Sequence, residues 1–340
     1  MKHANVAIFV PHNGCPHQCS FCNQRSITGK LSQPTPQDVL QAVRIAQSSL
    51  GATAAAAEIA FFGGSFTAIE RGYMVSLLRA ASPFVKTGEF AGIRISTRPD
   101  CIDDEILTLL KNFGVTSIEL GAQSMDDRVL QLNHRGHTAK QVETAARLIK
   151  AYDFTLGVQM MTGLYGDTME GSLQTAEKLA ALNPNQVRIY PTVIMCGTEL
   201  GDRFLRGEYT TLSLDETVEL CAQLLDFFED RGIAVIRLGL HSSSELERDM
   251  LSGPWHPAFR ELCENRRLFL KIIKMLTQTH IPQGKITLTV NPKSISKAVG
   301  QKKSNLKALS ALGYQTRIVP DSAVLENDFT IESFGVKTCC

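Results

Sequence analysis

Short strand-like segments alternate with helical segments along the first 240 residues, and this alternation limits the fold more than any other feature of the chain. The strand candidates are rich in β-branched or aromatic residues, and apolar residues recur at helical spacing between them. A repeated strand–helix unit predicts a parallel sheet with helical cover. The strand candidates are Val6–Val10, Glu58–Phe62, Gly92–Ser96, Ser117–Ala122, Thr155–Met161, Val187–Pro191 and Ala234–Leu238. The helix candidates are Pro36–Leu50, Tyr73–Ala81, Asp103–Asn112, Ala139–Ala151, Met169–Leu182 and Asp215–Arg231.

Six or seven such units build a barrel or an open partial barrel, so we expect an α/β fold with a partial (β/α)6-type barrel. In folds of this kind, the chemistry lies on loops at the carboxyl ends of the strands. The unusual residues of this chain do follow strands. A cysteine cluster follows the first strand, and the next four strands are followed by Gly63-Gly64-Ser65, Thr97-Arg98-Pro99, Gln123-Ser124 and Gly163.

The alternation stops near residue 240. The polar stretch His241–Pro257 reads as a linker or long loop, and the long helical pattern Ala258–Thr279 follows it. We therefore predict three segments: a barrel over residues 1–240, a linker and long helix over 241–283, and a small basic α+β domain over 284–340.

Composition narrows the class of protein. Hydrophobic residues make up 44% of the 340 residues and charged residues 20%, which is ordinary for a globular protein. The net charge of +1 gives no overall electrostatic reason for a nucleic-acid or membrane partner, although it leaves room for a local basic patch. We see no signal peptide and no apolar run near the roughly 18 residues that span a bilayer. We therefore expect a cytoplasmic protein without a membrane partner.

Three of the nine cysteines lie within eight residues, with the spacing C-x3-C-x2-C. Thiolates of Cys15, Cys19 and Cys22 can close around three irons of a cubane, and the fourth iron then keeps an open position. A zinc site is an alternative because His12 and His17 lie nearby, but zinc usually takes four ligands and the loop has no obvious fourth. A redox thiol pair and a chance cluster of core cysteines are further alternatives. The scattered remaining cysteines suit a reducing compartment.

The cysteine loop, with Phe21 before its last cysteine, resembles the signature of the radical S-adenosylmethionine (SAM) superfamily. Within that superfamily, residues 5–240 resemble the radical SAM half of Elp3-type tRNA-modifying proteins. The other segments that carry the resemblance are Phe61–Thr67, Ile95–Asp100, Glu119–Ser124, Asn133–His137, Gly157–Gly166 and Arg188–Thr198.

The resemblance implies a [4Fe–4S] cluster held by Cys15, Cys19 and Cys22, with the amino and carboxylate groups of SAM on the open iron. One electron would cleave SAM to methionine and a 5′-deoxyadenosyl radical, which takes a hydrogen atom from the substrate. The cofactors then carry the hard chemistry, while the protein binds, orients and excludes water. A reductant such as flavodoxin or ferredoxin is an implied partner.

The resemblance also implies SAM contacts near the second and third strands. Gly63 and Gly64 would let the backbone approach the methionine amino group, because glycine has no Cβ. Arg98 would contact the SAM carboxylate or ribose. The plainer interpretations are a turn glycine pair and a solvated arginine. Ser96 departs from the family pattern, since many relatives place an acid that pairs with SAM at this position.

Further SAM contacts are implied by the fourth and fifth strands. Gln123 and Arg135 match two polar contacts of coproporphyrinogen-oxidase-like members, and the guanidinium of Arg135 can form a fork with a carboxylate. Met161 and Gly163 would lie near the adenine, although Met161 could equally fill the core. The complete predicted set of SAM-binding residues is Gly63, Gly64, Ser65, Ser96, Arg98, Gln123, Arg135, Met161 and Gly163.

The C-terminal segment reads as strand, two helices and strand, with Gly300-Gln301-Lys302-Lys303 between the helices. This order resembles a KH-type RNA-binding module, in which a G-x-x-G loop clamps a nucleic-acid backbone, but the second glycine is replaced here by lysine. A solvated basic helix face is the alternative. The terminal Cys339 and Cys340 read as a frayed tail, or as ligands of an accessory metal. The lysines that would suit phosphate contacts are Lys293, Lys297, Lys302, Lys303 and Lys307.

These patterns favour a radical SAM enzyme that modifies tRNA or another RNA. The chain ends at residue 340, without room for the acetyltransferase domain of Elp3-type proteins, so we do not expect acetyl transfer. One alternative keeps the radical chemistry with a small-molecule or porphyrin-like substrate. Another is a non-catalytic iron–sulfur RNA-binding protein, which would not need a SAM pocket.

Overall fold

The computed structural model of the chain describes residues 4–11, 19–22 and 32–333, together with the backbone of 336–339. Cys15 and Cys340 lie outside the described residues. The chain divides into two compact units. The barrel unit comprises Met1–Ser213 and Phe228–Trp255, and the C-terminal unit comprises Leu214–Phe227 and His256–Cys340. The domain limits expected from the sequence stay a prediction.

The barrel unit contains a sheet of seven strands, all parallel, which confirms the predicted α/β partial barrel. The seven strands are β1 (Asn5–Val10), β2 (Glu58–Gly63), β3 (Gly92–Thr97), β4 (Val115–Gln123), β5 (Thr155–Thr162), β6 (Gln186–Pro191) and β8 (Ala234–Leu238). They lie side by side in the order β1-β2-β3-β4-β5-β6-β8. A separate antiparallel pair joins β7 (Ile194–Met195) to β9 (Met250–Ser252).

Helices connect these strands, and several begin at side-chain caps. Thr35 and Thr138 each form a reciprocal capping box, and the carboxylate of Asp103 accepts a hydrogen bond from the Ile106 N–H at 2.8 Å. The helices are α1 (Pro36–Leu50), α2 (Arg71–Lys86), α3 (Asp104–Asn112), α4 (Asp127–Leu132), α5 (Ala139–Ala151), α6 (Met169–Ala180), α7 (Glu199–Leu205), α8 (Leu214–Glu229) and α9 (Ser244–Asp249).

Residues 241–257 are not only the linker or loop that the sequence predicts, because this segment contains α9 and β9. The Ser243 hydroxyl accepts a hydrogen bond from the Leu246 N–H and begins the helix. Leu246 is buried against Val193 and Met195. A single buried leucine in a serine- and glutamate-rich stretch gives no helical periodicity of apolar residues. The sequence pattern therefore does not predict this short helix.

The C-terminal unit is built around a mixed four-stranded sheet in the order β11-β10-β12-β13. In this sheet β10 and β11 are parallel, whereas β12 is antiparallel to β10 and β13 is antiparallel to β12. The sequence analysis did not predict β12 and β13. The short run Phe329–Ser333 buries only Phe329 and Ile331 fully, which is too brief an alternation to stand out. The elements are α10 (Phe259–Gln278), β10 (Gly284–Val290), α11 (Ile295–Val299), α12 (Ser304–Ala311), β11 (Tyr314–Pro320), β12 (Phe329–Ser333) and β13 (Val336–Cys339).

The core of this unit forms between α10 and the sheet. Phe269 and Ile272 of the helix pack with Leu288 and Val290 of β10 and with Ile331 of β12. The KH-like similarity of the unit stays a prediction. In the part of the chain that the structure describes, no helix is both long and apolar enough to cross a membrane.

Candidate functional site

The turn that carries Cys19 and Cys22 is tied to two other loops. The Ser20 N–H donates to the Asn133 carbonyl at 3.2 Å, and the Ser20 hydroxyl donates to the Asn133 side-chain oxygen at 2.8 Å. The Leu200 N–H, at the start of α7, donates to the Ser20 carbonyl at 2.9 Å. Because Asn133 is fully buried at the end of α4, these bonds anchor the cysteine turn to the interior of the barrel unit.

Cys19 lies beside a buried arginine. Arg135 donates from Nη1 to the Cys19 sulfur at 3.1 Å and from Nη2 to the Gly121 carbonyl, at the end of β4, at 2.8 Å. The Cys22 N–H donates to the Cys19 carbonyl at 3.1 Å, so both cysteines share one tight turn. The structure therefore places two of the three predicted cluster ligands at the carboxyl ends of the barrel strands. The third, Cys15, lies outside the described residues.

Gln123 lies in the same corner in an unusual backbone conformation. Its φ of 65° is rare for a residue with a side chain, and β4 changes register with β5 between Gly121 and Gln123. A Cβ at Gly121 would lie 2.9 Å from the Gln123 amide nitrogen and 3.5 Å from Arg135 Nη2. The Gln123 amide and the Arg135 guanidinium thus meet over Gly121, and the structure brings Cys19, Gln123 and Arg135 together.

Arg98 is buried, and its guanidinium contacts other protein groups. It binds both carboxylate oxygens of Asp100, at 2.9 and 3.0 Å, and donates to the Arg135 carbonyl. The Arg98 N–H also donates to the Ser65 hydroxyl at 3.1 Å, and that hydroxyl lies 2.9 Å from the Thr97 hydroxyl. Ser65 and Arg98 therefore join the loops after β2, β3 and α4. A SAM contact for either residue stays a prediction.

The glycine pair after β2 has a structural reason of its own. Gly63 has a φ of 117°, and a Cβ there would lie 2.7 Å from the Val10 carbonyl oxygen. The Gly64 N–H donates to the same carbonyl at 3.1 Å. The first strand thus approaches the end of the second too closely for any side chain at position 63. The expected approach of this pair to SAM stays a prediction.

Met161 and Gly163 lie at the end of β5, next to the Gln123 strand, since Gln123 pairs in register with Met160. Gly163 has a φ of 72°, and its carbonyl accepts a hydrogen bond from the Tyr209 hydroxyl. Burial raises the pKa of Tyr209 to about 12, so this hydroxyl remains a donor at neutral pH. Their expected place near an adenine stays a prediction.

Sequence reasoning assigned no role to Glu119, which is the hub of a buried polar network in the barrel. Its carboxylate lies 3.0 Å from Arg94 Nη1 and 2.7 Å from Arg188 Nε. It also accepts hydrogen bonds from Gln159 at 2.9 Å and from Ser96 at 3.4 Å. Ser96 is therefore part of this network. The available signal was the single charged residue within each of several largely apolar strands, such as Arg94 in β3 and Glu119 in β4.

His137 is a second residue without an assigned role. Its ring Nε2 lies 3.2 Å from the Ala122 carbonyl oxygen, and burial, together with the nearby charge of Arg135, lowers its pKa to about 4. The imidazole is therefore neutral at pH 7, with its Nε2–H donating to that carbonyl. It supports the β4 edge of the site without adding charge.

The donor set fits an iron–sulfur cluster. Thiolates are the ligands that such clusters take, and the described part of the loop supplies two on one anchored turn, with a guanidinium N–H directed at one sulfur. Within residues 4–11, 19–22 and 32–333, no group of three or more His, Cys, Asp or Glu side chains is arranged to hold a metal ion. The predicted three-cysteine site includes Cys15 and so lies partly beyond that range.

Comparison with known proteins agrees with this architecture. Residues 9–179 match the model of the radical SAM superfamily, and residues 184–268 match that of the Radical_SAM C-terminal domain. The chain is 28% identical over 257 residues to the tRNA uridine(34) acetyltransferase of Methanocaldococcus jannaschii, covering 64% of this chain and 47% of that protein. It is 28% identical over 268 residues to human Elongator complex protein 3, covering 65% of this chain and 49% of that protein.

A solved structure shares the fold. The archaeal Elp3 of Methanocaldococcus infernus, with an N-terminal deletion, superposes with a TM-score of 0.60 at 19% identity, covering 82% of this chain and 63% of that one. The chain spans about half the length of the curated relatives named above. The matched family models, the parallel half-barrel and the cysteine turn at its carboxyl edge lead to one conclusion. The chain belongs to the radical SAM superfamily, whose enzymes use a [4Fe–4S] cluster and SAM.

Proposed function

We propose that this enzyme cleaves SAM reductively at a cluster held by Cys15, Cys19 and Cys22, and that its substrate is tRNA or another RNA. When bound, the cluster supplies the electron that breaks SAM into methionine and a 5′-deoxyadenosyl radical, which then removes a hydrogen atom from the substrate. The observation that carries the proposal is the anchored cysteine turn at the carboxyl edge of the barrel, with Arg135 donating to Cys19.

The chain's own residues would hold and orient the two cofactors. Arg135 fixes the position of Cys19, and Arg98 fixes the Arg135 loop through its carbonyl. We assign SAM to the surface beside these two arginines. The residues we expect to contact it are Gly63, Gly64, Ser65, Ser96, Arg98, Gln123, Arg135, Met161 and Gly163. The network around Glu119 lies deeper in the barrel and would limit the entry of water beneath the reacting groups.

Support for an RNA substrate comes first from the relatives, two of which are named for tRNA uridine acetylation and the elongator complex. Because this chain spans about half of each, their acetyl transfer is not assigned to it. Residues 9–179 of this chain match the radical SAM model, so we assign to this chain the radical step alone.

Further support comes from the lysines of the C-terminal unit, which fall into two groups. Lys293 pairs with Glu326, and Lys297 lies 2.8 Å from Glu264, so both lysines already have a carboxylate partner in this unit. Lys302, Lys303 and Lys307 are exposed, and the described residues include no acidic partner for them. Unpaired lysines on one short segment suit phosphate contacts.

The loop that presents these lysines has an unusual backbone conformation. Gly300 has a φ of 74°, and a Cβ there would lie 2.9 Å from the Asn305 backbone nitrogen. Lys302 and Lys303 both adopt left-handed backbone angles, with φ of 51° and 62°. Such angles cost about 1 kcal/mol or more per residue, and the fold maintains them where both lysines are exposed to solvent. We propose that this loop holds the RNA backbone.

The electron must come from outside the chain, and we propose a flavodoxin or a ferredoxin as its donor. A low-potential protein donor belongs to a reducing compartment, where thiolate ligands also persist. The proposed location is therefore the cytoplasm.

The test is anaerobic. Protein reconstituted with iron and sulfide is reduced and incubated with SAM, with and without tRNA, and both 5′-deoxyadenosine and the nucleosides of the digested tRNA are measured. We expect tRNA to raise 5′-deoxyadenosine formation and a nucleoside of new mass to appear. Both effects should be absent in the C15A/C19A/C22A variant.

A second pair of variants tests the RNA surface. The K302E/K303E double variant should need much more tRNA for the same stimulation, whereas K274E/K285E, which changes two other exposed lysines of the same unit, should behave like wild type. If tRNA does not raise 5′-deoxyadenosine formation and no new nucleoside appears, the RNA proposal is wrong. A small-molecule or porphyrin-like substrate would then explain the radical chemistry better.

A further inference from the structure

Two glutamines belong to the polar network around Glu119, and their side-chain oxygens are used differently. Gln186, the first residue of β6, accepts a hydrogen bond from Arg94 Nη1 through its Oε1 at 2.8 Å. Gln159 of β5 donates from Nε2 to a Glu119 carboxylate oxygen at 2.9 Å and to the Ser96 hydroxyl at 3.3 Å. Within the part of the chain that the structure describes, Gln159 Oε1 has no hydrogen-bond partner. The network therefore leaves one acceptor of Gln159 unused.

Glu119 determines which end of the Gln159 amide is presented to other groups. A carboxylate oxygen only accepts hydrogen bonds, so the end of the amide that faces it is the NH2 group. Two guanidinium groups hold the same carboxylate, with Arg94 at 3.0 Å and Arg188 at 2.7 Å. Because the carboxylate is held in this way, the Gln159 carbonyl oxygen is an acceptor with a defined direction.

The strand pairing places Gln159 nearer the carboxyl edge of the barrel than Glu119. Glu119 pairs with Gly157 of β5, whereas Gln159, two residues further along the same face of β5, pairs with Gly121. The side chains of Arg94 and Glu119 are each 1% exposed, and that of Gln159 is partly exposed. The network thus has a buried floor and an accessible upper layer, and the unused oxygen of Gln159 belongs to the upper layer.

A guanidinium group lies beside this acceptor. Arg188 is the register partner of Gln159 on β6, and such partners lie about 5 Å apart on the same face of a sheet. Glu119 binds Nε and Nη2 of Arg188, whose side chain remains 13% exposed. The guanidinium carbon lies 4.8 Å from the centre of the Phe62 ring on β2, although three strands separate β2 from β6. An acceptor, a cationic donor group and an aromatic ring therefore line the same part of the barrel interior.

The upper layer adjoins the expected SAM contacts. Gly121 has no side chain, and a Cβ there would lie 2.9 Å from the Gln123 amide nitrogen and 3.5 Å from Arg135 Nη2. Gln159 is the register partner of Gly121 on the next strand. A group that binds Gln159 would therefore lie next to the proposed SAM site, within reach of the radical formed there.

We propose that Gln159 accepts a hydrogen bond from a ring N–H of the substrate, and that Arg188 donates to the ring carbonyl beside it. A neighbouring N–H and C=O form the edge of a nucleobase such as uracil or guanine, and bases are commonly read by hydrogen bonds to such edges. Ribose and phosphate carry no N–H. The inference rests on the proposed function in one respect, because an RNA substrate supplies the base.

The adenine of SAM is the other ring that could reach Gln159, because its amino group also carries an N–H. The expected place of that adenine is at Met161 and Gly163, at the carboxyl end of β5. Gln159 lies one inward-facing position deeper on the same strand. We therefore assign Gln159 to the substrate, and titration with SAM keeps the two sources of the N–H apart.

The test compares two ligands that differ only at the ring N–H. Uridine 5′-monophosphate carries N3–H between two carbonyls, and 3-methyluridine 5′-monophosphate carries a methyl group in place of that hydrogen. In calorimetric titrations of the full chain, we expect wild type to bind the unmodified nucleotide about tenfold more tightly, as for the loss of one buried hydrogen bond. The Q159L variant should bind the two nucleotides alike, because leucine offers no acceptor.

The matched control is Q186L, because Gln186 lies in the same network but its Oε1 is already bonded to Arg94. This variant should keep the preference for the unmodified nucleotide. Three results would overturn the proposal: wild type that binds the two nucleotides alike or not at all, an unchanged preference in Q159L, or a Q159L variant weakened toward SAM alone. Circular dichroism shows whether Q159L keeps its fold, and the comparison in wild type decides the matter if it does not.

The SAM cleavage assay separates this inference from the proposed function. If SAM is cleaved but wild type does not distinguish the two nucleotides, the role of Gln159 is wrong and the radical chemistry stands. If the preference depends on Gln159 but SAM is never cleaved, the role of Gln159 stands and the radical chemistry is wrong.

Discussion

Arg135 donates a hydrogen bond from Nη1 to the sulfur of Cys19 at 3.1 Å, and its other terminal nitrogen binds the Gly121 carbonyl. One buried side chain thus joins the cysteine turn to the end of β4. We expect Arg135→Gln to lower the free energy of unfolding by about 1–3 kcal/mol, since it removes donors from buried acceptors. The variant should also retain less iron per chain after reconstitution.

Urea unfolding and iron analysis measure these two effects. Arg128→Gln serves as the control, because Arg128 is exposed and its guanidinium makes a long contact, 3.4 Å, to the Gly166 carbonyl. Equal iron content in the Arg135 and Arg128 variants would show that the contact to Cys19 does not support cluster loading.

The anchoring of the cysteine turn by Asn133 predicts a change in thiol reactivity. Asn133 is fully buried, accepts from the Ser20 hydroxyl and donates to the carbonyls of Val129 and Tyr165 at 2.8 and 2.9 Å. In the cluster-free protein, Asn133→Ala should release the turn and speed alkylation of Cys19, measured by mass spectrometry of the labelled peptide. Asn185→Ala, which removes a partner of Leu156 elsewhere in the barrel, should leave that rate unchanged.

The lowered pKa of His137 predicts a stability change with pH. In the unfolded chain a histidine has a pKa near 6.5, and in the fold it is about 4, so the unfolded state binds more protons between these values. The contribution of His137 to the free energy of unfolding is therefore complete above pH 6.5, and it is lost as the pH falls toward 4. From pH 7 to pH 5 we expect a loss of about 2 kcal/mol from this group. Urea unfolding of wild type and His137→Gln at pH 7 and pH 5 measures this loss. An equal change in unfolding free energy between the two pH values in both proteins would refute the prediction.

The backbone at Gly63 predicts a large cost for alanine. Both the φ of 117° and the 2.7 Å approach to the Val10 carbonyl oppose a Cβ, so Gly63→Ala should lower the unfolding free energy by about 2–3 kcal/mol. Gly88→Ala is the control, because Gly88 has a φ of 77° but nothing within 4 Å of its Cβ position. That variant should lose only about 1 kcal/mol. Equal losses in urea unfolding would mean that contact with Val10 is relieved at little cost.

The sequence alone predicted the barrel well, because each parallel strand carries its own local signal. The helices Pro36–Leu50 and Ala139–Ala151 have the expected bounds, and the strands differ by a few residues at most. The two last strands of the C-terminal unit could not be predicted, because their apolar runs are short. The partner of β12 is β10, about 40 residues earlier in the chain, and β13 pairs in turn with β12.

The sequence motifs predicted which loops form the candidate site, but they did not predict the side-chain contacts within it. Arg98 was expected to contact SAM, and no local pattern indicates that its guanidinium binds Asp100 and a carbonyl from another loop. The role of Asn133 depends on a residue 113 positions away, and Glu119 joins strands that meet only in the folded barrel. Such pairings arise from tertiary structure, so they follow from the coordinates and not from motif spacing.

The proposed cleavage of SAM is measured as the amount of 5′-deoxyadenosine that the reduced, reconstituted protein forms. Cys22→Ala removes a proposed ligand, and Cys196→Ala, an exposed cysteine outside the cluster loop, is its matched control. We expect wild type and Cys196→Ala to form 5′-deoxyadenosine, and Cys22→Ala to form almost none. SAM left intact by wild type with a loaded cluster, or equal product from Cys22→Ala, would contradict it.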